Sequence, residues 1–276
     1  MQVPILTYHG VNIAGNDYDG NDHVAFAADL ELIHQLGLRI VPVQWVIDRL
    51  LGRSERDLNG CVALTCDDGS NFDYYDLDHP VHGLQQGFFS ALLDFRRRHG
   101  RDAQPDLHLT AFVIADPAAR ARMDTACLVG RNWMQQEWWR PAQASGLIGI
   151  ENHSWDHNHP CLDSPGPHDL ARGDFFAVAN EAQAEFEIEQ AQRYIAAQIS
   201  PQVPRLFCYP FGHVNSFLKD DWLPRRGEQV GLDAAFGDGA VPASLHSERW
   251  NVPRYICGWH WKTPDALREI LAATLG

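Results

Sequence analysis

The sequence predicts an α/β fold with a parallel sheet or barrel, in a single domain over residues 1–276. Three observations predict it. Short apolar runs alternate with longer segments whose apolar residues recur at three- and four-residue spacing, the pattern of a strand followed by its covering helix. No repeat, low-complexity tract or Pro/Gly/Ser-rich linker divides the chain, and its length suits one barrel. Segments rich in His and Asp follow strands at 9–23, 67–82, 151–169 and 209–221. Parallel α/β folds gather such loops on one face.

In chain order, VPILTY reads as the first strand and FAADLELIHQLGLRIV as a helix running into a strand. VQWVIDRLLG is a second helix, ended by Gly52, and CVALTC is a buried strand. FFSALLDFRRRHG is a helix closing at Gly100, whose Arg96, Arg97 and Arg98 complement the helix dipole. LHLTAFVIA is a strand, NWMQQEWWRPAQASG a helix up to Gly146, and LIGIENHS a strand end. EAQAEFEIEQAQRYIAAQI is a long helix with its EFEIEQ acids expected on a solvated face. PRLFCYPFG, LDAAFGDG and VPRYICG supply the last strands, and TPDALREILAATLG a closing helix capped by Thr263 before Pro264.

Composition narrows the function. With 22 basic and 36 acidic residues the net charge is -14, which repels phosphate backbones and excludes nucleic acid as a partner. No apolar run reaches the length of a membrane span. The opening MQVPILTYHG has neither a basic n-region nor a long apolar h-region, so a cytoplasmic location is expected, or an extracytoplasmic one if a leader has been removed. Six cysteines without a CxxC pair read as free thiols and lean towards a reducing compartment.

The chemistry is concentrated in two short stretches. VALTCDDGSNF ends a buried strand in Asp67 and Asp68, each of which raises the cost of ionising the other. ENHSWDHNHP places His153 and His157 four apart, on one face if the stretch turns helically. Among 14 histidines that spacing says little alone, and Asp220 and Asp221 form a second acidic pair read as a solvated loop. Joint placement after strands is more informative. A divalent cation held by Asp68, His153 and His157 would compensate the charge and leave positions open for water and substrate. Asp67, beside it, would then be free to take a proton.

These residues resemble the motifs of the polysaccharide deacetylases, the family-four carbohydrate esterases with the NodB homology domain. Their T-F-D-D-G corresponds to Thr65-Cys66-Asp67-Asp68-Gly69, and their H-S/T-x-x-H to His153-Ser154-Trp155-Asp156-His157. LTAFVI resembles the strand between the two motifs. The R-x-P-Y motif is partly present in FCYPFG, with Cys208 where the arginine would stand and Phe211 where the tyrosine would. PILTYHG resembles the opening of the circularly permuted poly-N-acetylglucosamine deacetylases. The resemblance implies a single distorted (β/α) barrel of about seven strands, and metal-dependent removal of N-acetyl groups from an amino sugar in a polysaccharide or glycoconjugate, with release of acetate. It implies Asp67 as general base, the backbone N–H of Phe211 as oxyanion donor and His9 as general acid, with His260 and His246 as rivals. Arg254 is the candidate to replace the missing arginine.

Zinc suits two His and one Asp, and cobalt, nickel or manganese fit the same ligands. Tyr209, Trp155 and Trp259 are the candidate substrate contacts. Trp133, Trp138, Trp139 and Trp261 are weighed as sugar platforms but expected mostly in the core; Trp138 and Trp139, about 100° apart on a helix, are not expected both to face it. His159 is read as a bystander before Pro160. Residues 70–108, longer than the resembled family has there, are read equally as a groove wall or a surface excursion. Two alternatives stay open: an amide or formyl hydrolase acting on a small non-polymeric substrate, and a barrel that binds carbohydrate without turnover. The oligomeric state is open.

Overall fold

The computed structural model describes residues 1–272. Seven strands form the sheet: β1 (Ile5–His9), β2 (Cys61–Asp67), β3 (Leu109–Val113), β4 (Ile148–Asn152), β5 (Leu206–Cys208), β6 (Ala234–Phe236) and β7 (Tyr255–Ile256). They are parallel, in the spatial order β6-β5-β4-β3-β2-β1-β7, with the short strand Arg39–Ile40 added beside the start of β2. An isolated parallel bridge joins Phe236 to Val252, just ahead of β7, so the sheet curls round as a distorted barrel.

Strand parity sorts the side chains. On β1 and β2, Leu6, Tyr8, Leu64 and Cys66 belong to the outer apolar layer under the helices. Ile5 and Ala63 pack instead with Phe112, Leu206, Cys208, Ala234 and Phe236, the filling of the barrel. Above that filling the inward positions turn polar: Thr7 Oγ1 lies 2.8 Å from Thr65 Oγ1, and His9 stands in register with Asp67. The period of two thus carries each inward row from an apolar floor to a polar rim at the strands' C-terminal ends.

The covering helices follow from their patterns. In α1 (Asp22–Gln35) the Asn21 side chain caps the first turn by accepting from His23 N. After α2 (Val43–Leu50), α3 (Phe88–His99) buries Phe88, Ala91, Leu92 and Phe95, one stripe at helical spacing. Each large side chain so buried contributes about 1.5–3 kcal/mol. Its basic end meets α1, where Glu31 receives Arg98 at 2.5 Å and His99 at 2.9 Å. α4 (Pro117–Cys127) and α5 (Trp139–Ser145) come next. The long helix is built of α6 (Glu181–Ala184), a π-helical turn Glu185–Glu189 and α7 (Gln190–Ile199). The closing α8 covers Pro264–Ala272, with Thr263 Oγ1 accepting from Ala266 N; residues 273–276 of the expected helix lie outside the described residues.

Several expectations need correction. α4 was not expected, because it buries Ala119, Arg120, Met123 and Asp124 and so shows no apolar stripe; its signature is the Asp116 cap and Pro117 at the first position. Residues 132–138 are not helical. Asp124 accepts the N–H groups of Asn132 and Trp133 and holds that stretch as a loop. Trp138 and Trp139 are both fully buried, since Trp138 is the cap rather than a helical residue and the angular argument does not apply. Glu187 is fully buried within the π turn, not solvated. Among the described residues no helix is long and apolar enough to cross a membrane.

One buried carboxylate ties the barrel to its outer layer. Asp29 of α1 accepts from Tyr8 (2.9 Å), Trp261 (3.2 Å) and Tyr18 (2.5 Å). Burial raises its carboxyl to about 7, against the pull of these donors. With the folded value above the unfolded one, the native state keeps a proton that the unfolded chain has released between about pH 4 and 7. This group's contribution therefore grows as pH falls through that window. Comparison of denaturant unfolding with Asp29→Asn should show the wild type gaining on the variant between pH 7 and pH 4; a constant difference would contradict the raised value.

Candidate active site

The dyad divides at the end of β2. Asp67 is the last strand residue and points inward; Asp68 follows with φ 75°, which turns its side chain away from Asp67 and towards the β4 loop. Gly69 continues the left-handed turn at φ 77°, and a Cβ there would come within 2.7 Å of Val113. Only glycine lets this loop lie against β3.

The loop after β4 brings up the histidines. It is not helical: Ser154 and His157 have φ of 72° and 61°, and a hydrogen bond from His157 N to Ser154 Oγ (2.9 Å) folds the loop back. The π turn assists, because the Glu187 carbonyl accepts Trp155 N–H at 2.7 Å. The two Nε2 atoms lie 3.7 Å (His153) and 3.6 Å (His157) from Asp68 Oδ1. His153 Nδ1 donates to Cys208 O at 3.0 Å, so its Nε2 carries a lone pair. Burial lowers the basicity of both imidazoles. A carboxylate and two imidazole nitrogens that converge without hydrogen-bonding to one another fit a cation, and these ligand atoms all lie within 4.8 Å of one another.

Asp67 is held from the opposite side of the barrel. Arg254, just before β7, donates to Oδ1 at 2.8 Å and to Oδ2 at 2.9 Å, and its Nε donates to Gly237 O. Both residues are almost fully buried. Burial alone would raise the Asp67 carboxyl, but the guanidinium outweighs it and holds it well below the usual carboxylate range. Burial pushes the Cys208 thiol up, and that neutral thiol sits 3.5 Å from Asp67 Oδ2 and 2.9 Å from the Arg254 guanidinium.

Asp67, Asp68, His153, His157 and Arg254 line one cavity of about 580 Å³ together with His9, Phe211, Asp238, Ile256 and Trp259. Asp22 Oδ2 accepts His9 N–H at 2.7 Å and lies 4.0 Å from His9 Nδ1. Phe211 has φ 59°, and its ring meets the His157 ring edge-on at 4.4 Å. Trp259 is 80% exposed at the rim. Met123, Cys127, Leu128 and Met134 form one further wall, and His159, read as a bystander, lines the cavity too.

Of the expected site residues, the structure brings together Asp67, Asp68, His153, His157, His9, Phe211, Arg254 and Trp259. Tyr209 is not a substrate contact, since it is fully buried and its hydroxyl donates to Trp250 O. Trp155 also points elsewhere, against Tyr194 and Phe186. Of the rival acids, His246 is exposed outside the cavity, and His260 accepts Ile256 N–H through Nδ1 without lining it. Among the described residues none from 70–108 lines the cavity; that excursion forms the hairpin of Leu77–His79 and Gly83–Gln85. The wall comes from α4 and the loop after it, which carry no His–Asp signal. Asp22 was missed because it is an ordinary first-turn acid in sequence.

Comparison with solved structures shows the same fold in three bacterial proteins. A de-N-acetylase from Aggregatibacter actinomycetemcomitans matches with TM-score 0.64 at 14% identity, over 98% of this chain and 100% of that one. The deacetylase PplD of Streptococcus pyogenes, determined in complex with acetate, gives 0.63 at 15%, over 98% of each chain. IcaB from Ammonifex degensii gives 0.59 at 20%, over 100% of this chain and 97% of its own. No curated protein sequence matches the chain. The sequence model for polysaccharide deacetylases matches residues 55–221, which include both the Asp67-Asp68 dyad and the His153/His157 loop, and the chain belongs to that family.

Proposed function

We propose that this protein is a metal-dependent carbohydrate N-deacetylase that hydrolyses the acetamido group of an N-acetylated amino sugar and releases acetate. The observation that carries the reading is the buried Asp67–Arg254 pair beside Asp68, His153 and His157 in one cavity. The chain's family and the fold it shares with deacetylases support it. A divalent cation held by Asp68, His153 and His157, zinc by the donor set, would supply Lewis acidity to the substrate carbonyl and to water.

The remaining roles belong to the chain. Asp67 takes the proton of the attacking water, and Arg254 keeps it ionised and aimed into the cavity. Phe211 N–H donates to the oxyanion as the carbonyl becomes tetrahedral. His9, steadied by Asp22, gives a proton to the departing amine. Trp259 offers an exposed indole face at the rim for a sugar ring.

The deciding assay is acetate release from β-1,4 and β-1,6 N-acetylglucosamine oligomers by chelated enzyme, with and without added zinc or cobalt. Release that returns with metal is expected, and the preferred linkage identifies the polymer; stoichiometric zinc binding with no release from either would overturn the reading. Asp67→Asn should lower turnover by about 10²- to 10⁴-fold while zinc stoichiometry is retained. Arg254→Met leaves a buried carboxylate unpaired and should cost about 3–5 kcal/mol in unfolding free energy. In Arg254→Lys the Asp67 carboxyl rises, so the acid limb of kcat/KM should move to higher pH; an unmoved limb would remove Arg254 from the catalytic apparatus.

A further inference from the structure

Outside the metal-binding triad, a second cluster occupies the cavity's rim. Cys127, the last residue of α4, and Cys161, beyond the histidine loop, stand with His159 so that their ligand atoms all lie within 4.8 Å of one another. Both sulfurs are free thiols. Cys127 is exposed and Cys161 partly so, whereas Cys61, Cys66, Cys208 and Cys257 are buried. Arg122 Nε donates to Cys161 O at 3.3 Å and fastens α4 to the segment carrying Cys161.

The histidine's orientation separates two uses of such a cluster. Cys161 N–H donates to His159 Nδ1 at 3.2 Å, which leaves the ring proton on Nε2. That Nε2 faces Cys127 Sγ at 3.9 Å. It meets the sulfur as a donor, with no lone pair to offer a cation at that position. The arrangement therefore sets a hydrogen-bond donor against the Cys127 sulfur with a second thiol in reach.

We propose that Cys127 and Cys161 are a reversible redox pair, closed to a disulfide by a hydroperoxide. Cys127 sulfur attacks the peroxide; an S–O bond forms as the O–O bond breaks, sulfur is oxidised by two electrons, and the departing oxygen leaves as water after taking a proton. Cys161 sulfur then attacks the sulfenic sulfur, forming the S–S bond as the S–O bond breaks, and the second water carries off the Cys161 proton. Two thiols and one hydrogen peroxide thus give one disulfide and two waters. The two sulfurs lie within 4.8 Å of each other, so closure to an S–S distance of about 2.05 Å draws them together by less than about 3 Å. The bond would join the wall formed by Met123, Cys127 and Leu128 to the segment that carries His157.

The test treats the full-length reduced protein with hydrogen peroxide, removes excess oxidant and counts thiols after unfolding. The wild type should fall from six titratable thiols to four and recover all six with dithiothreitol, and peptide mapping should find Cys127 joined to Cys161. In Cys161→Ser, Cys127 should instead stop as a sulfenic acid that dimedone labels. The same loss in Cys127→Ser, or a wild type that keeps six thiols, would overturn the proposal. So would one equivalent of zinc bound through these cysteines that protects them from peroxide, since the cluster would then be a metal site.

Discussion

The bidentate pair between Arg254 and Asp67 is the constraint around which the rim of the barrel is organised. Moving either charge alone into this interior would cost several kcal/mol. Here the two guanidinium donors meet the two carboxylate oxygens, and the remaining Nε proton goes to Gly237 O. With Asp67 committed to arginine, the next carboxylate is free for another task. The left-handed turn at Asp68 directs it there, towards two imidazoles that no proton links to it.

The fold was largely legible because its signal is periodic. The apolar runs at Ile5 to His9 and Cys61 to Asp67 mark strands, whereas the division into outward Leu6 and Leu64 and inward Ile5 and Ala63, with His9 and Asp67 at the rim, belongs to the structure. The unread parts lack such a period. α4 buries an arginine and an aspartate, and 132–138 is held by the Asp124 side chain at the end of that helix, a contact with no periodic signature. Within the site, the dyad and the histidine pair could be found by motif, and Arg254 by the vacancy at Cys208. Tyr209 and Trp155 could not be placed from residue type, since an aromatic beside a motif residue can face either side of a strand or turn. Asp22 and the α4 wall acquire meaning only through tertiary proximity.

Local strain marks the same place. Asp68, Ser154, His157 and Phe211 all adopt positive φ, a region where non-glycine residues are uncommon. Such conformations persist only where surrounding bonds over-determine them. Here Ile114 N to Asp68 O, Ala115 N to Ser154 O and His157 N to Ser154 Oγ do so. The rigid floor of Ile5, Ala63, Phe112 and Phe236 beneath gives those bonds a fixed base.

The separation of the two charges along the chain has a consequence for biogenesis. Asp67 and Arg254 are 187 residues apart, and the arginine arrives with the strand that completes the barrel. A ribosome adding about 5–20 residues each second makes the carboxylate many seconds before its partner. Until then the nascent chain has no counter-charge for Asp67 from this strand. The Asp67–Arg254 pair is thus completed late, after the first strands and most of the covering helices have been made.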